Sequence, residues 1–159
     1  MPGLHLFSKG TGDKAVTVSA NLSPEQIRFF LSRIEAAVST YSFSEDKIFG
    51  EPDKDGYSLV TKFRLIRTTK DTKGNDRKLP WYVEIENGKG VPLKNANGGT
   101  YMKSGSFVSS GKVNANMSDL DLYELLSRVT SYINSREMTI APYLIKKAKE
   151  EISNKQKAA

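Results

Sequence analysis

Glu84 and Glu86 stand two residues apart in a run that alternates Trp81, Val83 and Ile85 against Tyr82, Glu84 and Glu86. Strand spacing puts both carboxylates on one face, and such a pair can split its pKa values and work as acid and base. On an exposed sheet face among Lys and Arg side chains, ion pairing is the simpler role. Ser109-Ser110-Gly111-Lys112 contains a Ser-x-x-Lys spacing. That spacing activates a serine at the start of a helix, whereas these residues have the composition of a β-turn. Glu51-Pro52-Asp53-Lys54-Asp55-Gly56 has the outline of half a calcium loop, but Lys62 stands where the loop needs its bidentate Glu, and Pro52 is awkward at the second position. Gly88-Lys89-Gly90 and Asn97-Gly98-Gly99 lack P-loop spacing, and neither leads a strand directly into a helix. The chain has no Cys and one His, His5, which removes thiolate metal sites, a Cys nucleophile and a Ser-His-Asp triad. The expectation is a protein that is not an enzyme and uses no metal or cofactor.

What remains is the pairing of cations with aromatic rings. The formal charge is +6, and residues 61–115 alone hold eleven basic and four acidic side chains, so the middle of the chain carries the whole excess. A field of that sign attracts polyanions, of which nucleic acid is the commonest in a cell. Single strands are held by cations that track phosphates and by rings that stack on bases. The residues assigned to that role are Lys62, Arg64, Arg67, Lys73, Arg77, Lys78, Lys89, Lys94 and Lys103, with Tyr82 and Tyr101 as the stacking rings. Phe63 and Trp81 share a face with Val and Leu residues and read as core, although Trp81 and Phe107 are also rings of the right kind. The first helix carries Arg28 and Arg33 among Glu25 and Glu35, so it lacks the cation-rich face of a major-groove helix. Single-stranded DNA or RNA is therefore expected over duplex. The alternative is a protein partner: an accessory or inhibitor protein using the same basic surface. Short basic chains without Cys are common among phage and mobile-element products, which makes such an origin the working expectation.

The elements that must position these side chains follow from periodicity. Val16, Val18 and Ala20 alternate as in a half-buried strand over Lys14–Ala20. Ser23, Pro24 and Gln26 make a capping box, and Ile27, Phe30, Leu31, Ile34, Val38 and Tyr41 continue at helical spacing. Residues 42–56 read as a polar loop ending at Gly56. Tyr57 to Thr68 and Trp81 to Glu86 alternate on either side of a hydrophilic stretch, the pattern of a hairpin with a long tip. Lys62 and Arg64 then share one face. A weaker extended pair spans Thr100–Val108 and Lys112–Asn116, hinged at Ser109-Ser110-Gly111. Ser118 and Asp121 cap a helix with Leu122, Leu125, Leu126, Val129 and Ile133 as its stripe. Ser135-Arg136-Glu137 reads as a break, and a last helix opens near Thr139 with Pro142 in its first turn.

The fold class expected is α+β: a mainly antiparallel sheet in the order β-α-β-β-β-β-α-α, with the helices packed on one face. The 159 residues are taken as a single domain, with a loose leader over about 1–13 and a frayed tail over about 153–159. Residues 57–135, four strands then a helix, resemble in element order the Whirly-like single-strand-binding sheets, a likeness of order without shared motifs. The 38% hydrophobic and 26% charged fractions are those of an ordinary soluble protein, with no apolar run of ~18 residues to span a membrane. The first residues have no basic flank and no apolar signal core, so a cytoplasmic location is the expectation.

Overall fold

The computed structural model describes residues 8–9 and 15–157. His5 and most of the leader lie outside them. Ser8–Lys9 (β1) pairs antiparallel with Val16–Thr17 (β2), which is shorter than the strand expected over Lys14–Ala20. Helix α1, Pro24–Glu35, opens as its sequence dictates: Ser23 Oγ accepts from the Gln26 N–H at 3.1 Å, and Gln26 Oε1 accepts from the Ser23 N–H at 2.9 Å. It stops six residues before Tyr41, because Ala37 takes a φ of +49° and turns the chain out of the helix.

The next segment corrects the expected polar loop. Thr40–Phe49 is a ten-residue strand, β3, paired over its full length with β4, Ser58–Thr68. Tyr41 and Phe43, read as the end of a helical stripe and the start of a loop, are its inward positions. Phe43 meets the Phe30 ring edge-on at 4.9 Å between centroids. Strand β5, Trp81–Gly90, returns beside β4 with Phe63 opposite Ile85 and Arg64 opposite Glu84. Two three-residue strands, β6 (Pro92–Lys94) and β7 (Thr100–Met102), form a separate hairpin flap. Thr100 thus pairs with Lys94 rather than opening a strand toward Val108. The last strand, β8, is Val108–Met117, and the residues expected as a hinge lie within it, next to a bulge at Asn87/Gly88.

The main sheet has the order β3-β4-β5-β8, antiparallel throughout. Both helices pack on the same face of it, as the α+β reading requires. Phe63, Leu65, Trp81, Val83, Ile85 and Val113 from the sheet meet Ile27 and Phe30 of α1 and Leu122 and Leu126 of the C-terminal helix. Ser118 and Asp121 exchange bonds of 3.1 and 3.0 Å at the start of that helix, α2. It runs unbroken from Asp119 to Lys157, in place of the two helices expected. Ser135-Arg136-Glu137 contains no true breaker, and Arg28 of α1 clamps the segment by donating to Asn134 at 2.8 Å and Glu137 at 2.6 Å. Pro142 removes one N–H where the freed carbonyl can turn to water. Among the described residues no helix is long and apolar enough to cross a membrane.

Phe30 is the centre of the helix–sheet contact, buried to 1% and against the rings of Tyr41, Phe43 and Phe63. Phe30→Ala is expected to lower unfolding stability by about 3–5 kcal/mol, read from the urea midpoint at unchanged slope.

Candidate nucleic-acid interface

Because both helices lie on one face, the other face of the main sheet carries no helix among the described residues. Register lays its side chains out in three rows across β3, β4, β5 and β8. The first row reads Asp46, Lys62, Glu86, Lys112; the second Ser44, Arg64, Glu84, Asn114; the third Ser42, Ile66, Tyr82, Asn116. Ser42, Ser44, Asn114 and Asn116 are exposed. One end of this face is covered by the flap. The loop after β7 lays Phe107 so close to Gly88 that a Cβ there would fall 2.7 Å from the ring, and Met102 stands equally close to Gly90. A Cβ at Gly88 would also fall 2.3 Å from the Val108 carbonyl of β8, so that position accepts no side chain, and at Gly90 the Met102 side chain would have to shift.

The floor is electrically balanced. Glu84 is only 4% exposed in the middle of this open face. Its Oε1 accepts from Arg64 at 2.8 Å, its Oε2 from Lys112 at 2.7 Å, and the Tyr82 hydroxyl donates to Oε2 as well. Burial pushes the Glu84 carboxyl up, but the bonds from Lys112, Tyr82 and Arg64 together outweigh it and hold the group below the usual carboxylate range. The same arrangement acts on the tyrosine in reverse. Burial, the hydrogen bond to Glu84 and its negative charge push the Tyr82 hydroxyl up to about 12. Glu84 is thus a bonded carboxylate with its lone pairs in use, and its geometry is that of an ion-paired anchor.

The assigned cations divide by place. Lys62 lies on the floor with Nζ 3.7 Å from the centroid of Phe107. Arg64 is on the floor and paired. Arg67 has the opposite parity and is 8% exposed on the helix side, where it donates to both oxygens of Asp119 at 3.1 and 3.0 Å and to the Val38 and Ser39 carbonyls. That geometry takes Arg67 off the face. Lys89 also points to the helix side, over the Tyr57 ring at 4.6 Å and 3.9 Å from Asp53. Lys73, Arg77 and Lys78 stand on the β4–β5 tip, exposed, beside the Lys70–Asp76 pair. An Asx turn holds that tip, Asp71 Oδ1 accepting from Lys73 and Asn75 N–H groups at 2.8 and 2.9 Å. Lys94, Tyr101 and Lys103 are exposed on the flap side. Among the described residues of the basic segment, Lys62, Lys73, Arg77, Lys78, Lys94 and Lys103 make no ion pair. Tip and flap stand at opposite ends of β5, ~33 Å apart, with the rows of polar side chains between them. Both Tyr82, half-buried on the floor, and Tyr101, exposed on β7, offer a ring; Trp81 is fully buried.

The β3 contribution, Ser42, Ser44 and Asp46, falls within the segment whose polar composition predicts a loop. The alternation of Tyr41 and Phe43 against Ser42 and Ser44 is the signal that marks it. Among the described residues no three His, Asp or Glu side chains come together as metal ligands. The Asp53 carboxylate of the calcium-like segment accepts instead from the Asp55 and Tyr57 N–H groups, each at 2.9 Å.

The Tyr82–Glu84 bond has a signature in alkali. A hydroxyl raised from 10.0 to about 12 stabilises the fold in its neutral form. That contribution is complete below pH 10 and is lost as pH rises through about 12. The wild-type urea midpoint is therefore expected to fall more steeply between pH 10 and 12 than that of Tyr82→Phe, which has nothing to titrate there. Parallel curves would show that the hydroxyl is not held in this way. No family model matches the chain, and neither does any curated protein or solved structure, so the reading of this face rests on its own chemistry.

Proposed function

We propose that the protein binds single-stranded nucleic acid along the open face of the main sheet, without catalysis. The observation that supports this reading is the placement of the unpaired cations. The floor between tip and flap is neutral in sum and lined with Ser, Asn and Tyr, while Lys73, Arg77 and Lys78 gather at one end and Lys94 and Lys103 at the other. A single strand laid along β5 meets phosphate-binding side chains at both ends and hydrogen-bonding amides, hydroxyls and rings between them. A duplex is too wide and too stiff to seat its bases on a flat floor. This revises how the binding is divided: Arg64 and Lys112 hold Glu84, and the loops, not the strands, neutralise phosphate.

A fluorescent single-stranded oligonucleotide titrated at several salt concentrations tests the reading. Each contacted phosphate adds roughly −0.7 to the slope of log K against log salt. The triple change Lys73→Ala, Arg77→Ala and Lys78→Ala is expected to reduce that slope by about 2, with the thermal midpoint unchanged because all three side chains are exposed. Tyr101→Ala is expected to weaken binding by roughly 1–3 kcal/mol, the value of one stacked base, with the slope unaltered. A wild-type protein with no measurable affinity, or with a flat salt response, would return the basic surface to a protein partner.

A further inference from the structure

The C-terminal half of α2 runs clear of the other described elements. From Ala141 to Asn154 every residue is exposed, and Met138 (77%), Leu144, Ile145 and Ile152 are each more than half exposed. The exposed apolar residues are ordered. Met138, Ala141, Ile145, Ala148 and Ile152 follow one another at steps of three, four, three and four, which is the seam of a two-helix coil. Tyr143, Lys146 and Glu150 lie on the far side of the rod.

We propose that two copies of this chain pair antiparallel along that seam. Three observations select a second copy, and the first and third of them its direction. First, the seam complements itself. With Ile145 set against Ala148 of the second copy, Ala141 falls against Ile152 of the second copy, so each isoleucine meets an alanine and the two-fold axis repeats the match, with Met138 at the outer edge of the seam. Second, the flanks do not oppose like charges: in that register Leu144 lies beside Glu151 of the second copy, and Lys149 beside Pro142 of the second copy. Third, α1 occupies the continuation of the stripe. Arg28 holds Asn134 and Glu137, the positions one turn before Met138 and Ala141. A parallel pair would bring two α1 helices to the same level between two α2 rods. In the antiparallel pair each rod ends where the α1 of the other copy begins.

The free length fits as well. The 20 residues from Met138 to Lys157 make a rod of ~30 Å, and covering one side of two such rods removes on the order of 1,000 Å², the threshold of a specific interface. The pairing does not depend on the nucleic-acid reading, because it is measured without an oligonucleotide.

Sedimentation or light scattering of the full chain across 1–100 μM reads the result. The expected mass is twice 17.7 kDa at the upper end. Ile145→Glu with Ile152→Glu should give the single mass throughout at unchanged helical circular dichroism, and Tyr143→Glu on the far side should keep the dimer. The absence of Cys allows a direct test of direction. Ala141→Cys mixed with Ile152→Cys should form a mixed disulfide, whereas Ala141→Cys alone should not, since its two copies stand ~16 Å apart along the rods. A wild-type monomer at 100 μM, a dimer indifferent to the double change, a dimer lost with Tyr143→Glu, or an Ala141→Cys homodisulfide would each overturn the proposal.

Discussion

The Asp119 carboxylate is the joint on which the arrangement turns. It sits in the first turn of α2, accepts from Trp81 Nε1 at 2.7 Å and takes the Arg67 guanidinium on both oxygens. Arg67 in turn reaches the carbonyls of Val38 and Ser39, where α1 passes into β3. One acid thus ties the start of the long helix to two central strands and to the first helix–strand connection. The Arg67 guanidinium, followed by Trp81 Nε1, offsets the cost of burial and holds Asp119 below the usual carboxylate range. Placing the origin of α2 there commits the helix to the face that α1 already covers. The opposite face is left bare as a consequence.

That bare face is not a core turned outward. Exposed large apolar side chains would make it an aggregation surface, and the sheet avoids this with alternating charges and amides. Glu84 is the central piece: buried, triply bonded and shared between the strands on either side of it. Removing its partners one at a time would leave a buried charge less well compensated each time, so the group behaves as a unit and not as three independent bonds. The same economy explains why a chain with a strongly basic middle presents a floor with no net charge.

Much of this was legible in the residues. The Ser23 and Ser118 caps, the helical stripes to Ile34 and Ile133, the β4–β5 pairing and the burial of Phe63 and Trp81 all follow from local spacing and side-chain chemistry. Three features were not. β3 alternates apolar with Ser only at Tyr41 and Phe43 before turning to Glu, Asp and Lys, so its strand identity comes from its neighbour β4. Across the expected break, α2 is bridged to α1 by Arg28, more than a hundred residues away in sequence, and a local reading does not see that contact. Arg67 looks like its neighbours Lys62 and Arg64 in a count of charges, yet a single step of parity sends it to the helix side. Charge composition counts the cations of this segment alike, and only the pairing of strands separates a cation that holds the fold from one that makes no ion pair.

The flap bears on how the surface could be altered by inheritance or by design. Residues 91–107 leave and rejoin the sheet beside Lys89 and Val108, which are themselves paired, so the flap is an elaborated turn of the β5–β8 hairpin. It closes on itself, Asn95 Oδ1 accepting from the Asn97 and Gly99 N–H groups and the Lys103 N–H donating to the Val91 carbonyl. Its seat on the sheet uses the missing side chains of Gly88 and Gly90, the Lys62 ammonium against Phe107, and the packing of β7 on β3. A segment with adjacent ends and its own closure is a cassette. It can be shortened, lengthened or exchanged without disturbing the core, so the shape of one wall of the face can diversify while the fold stays constant.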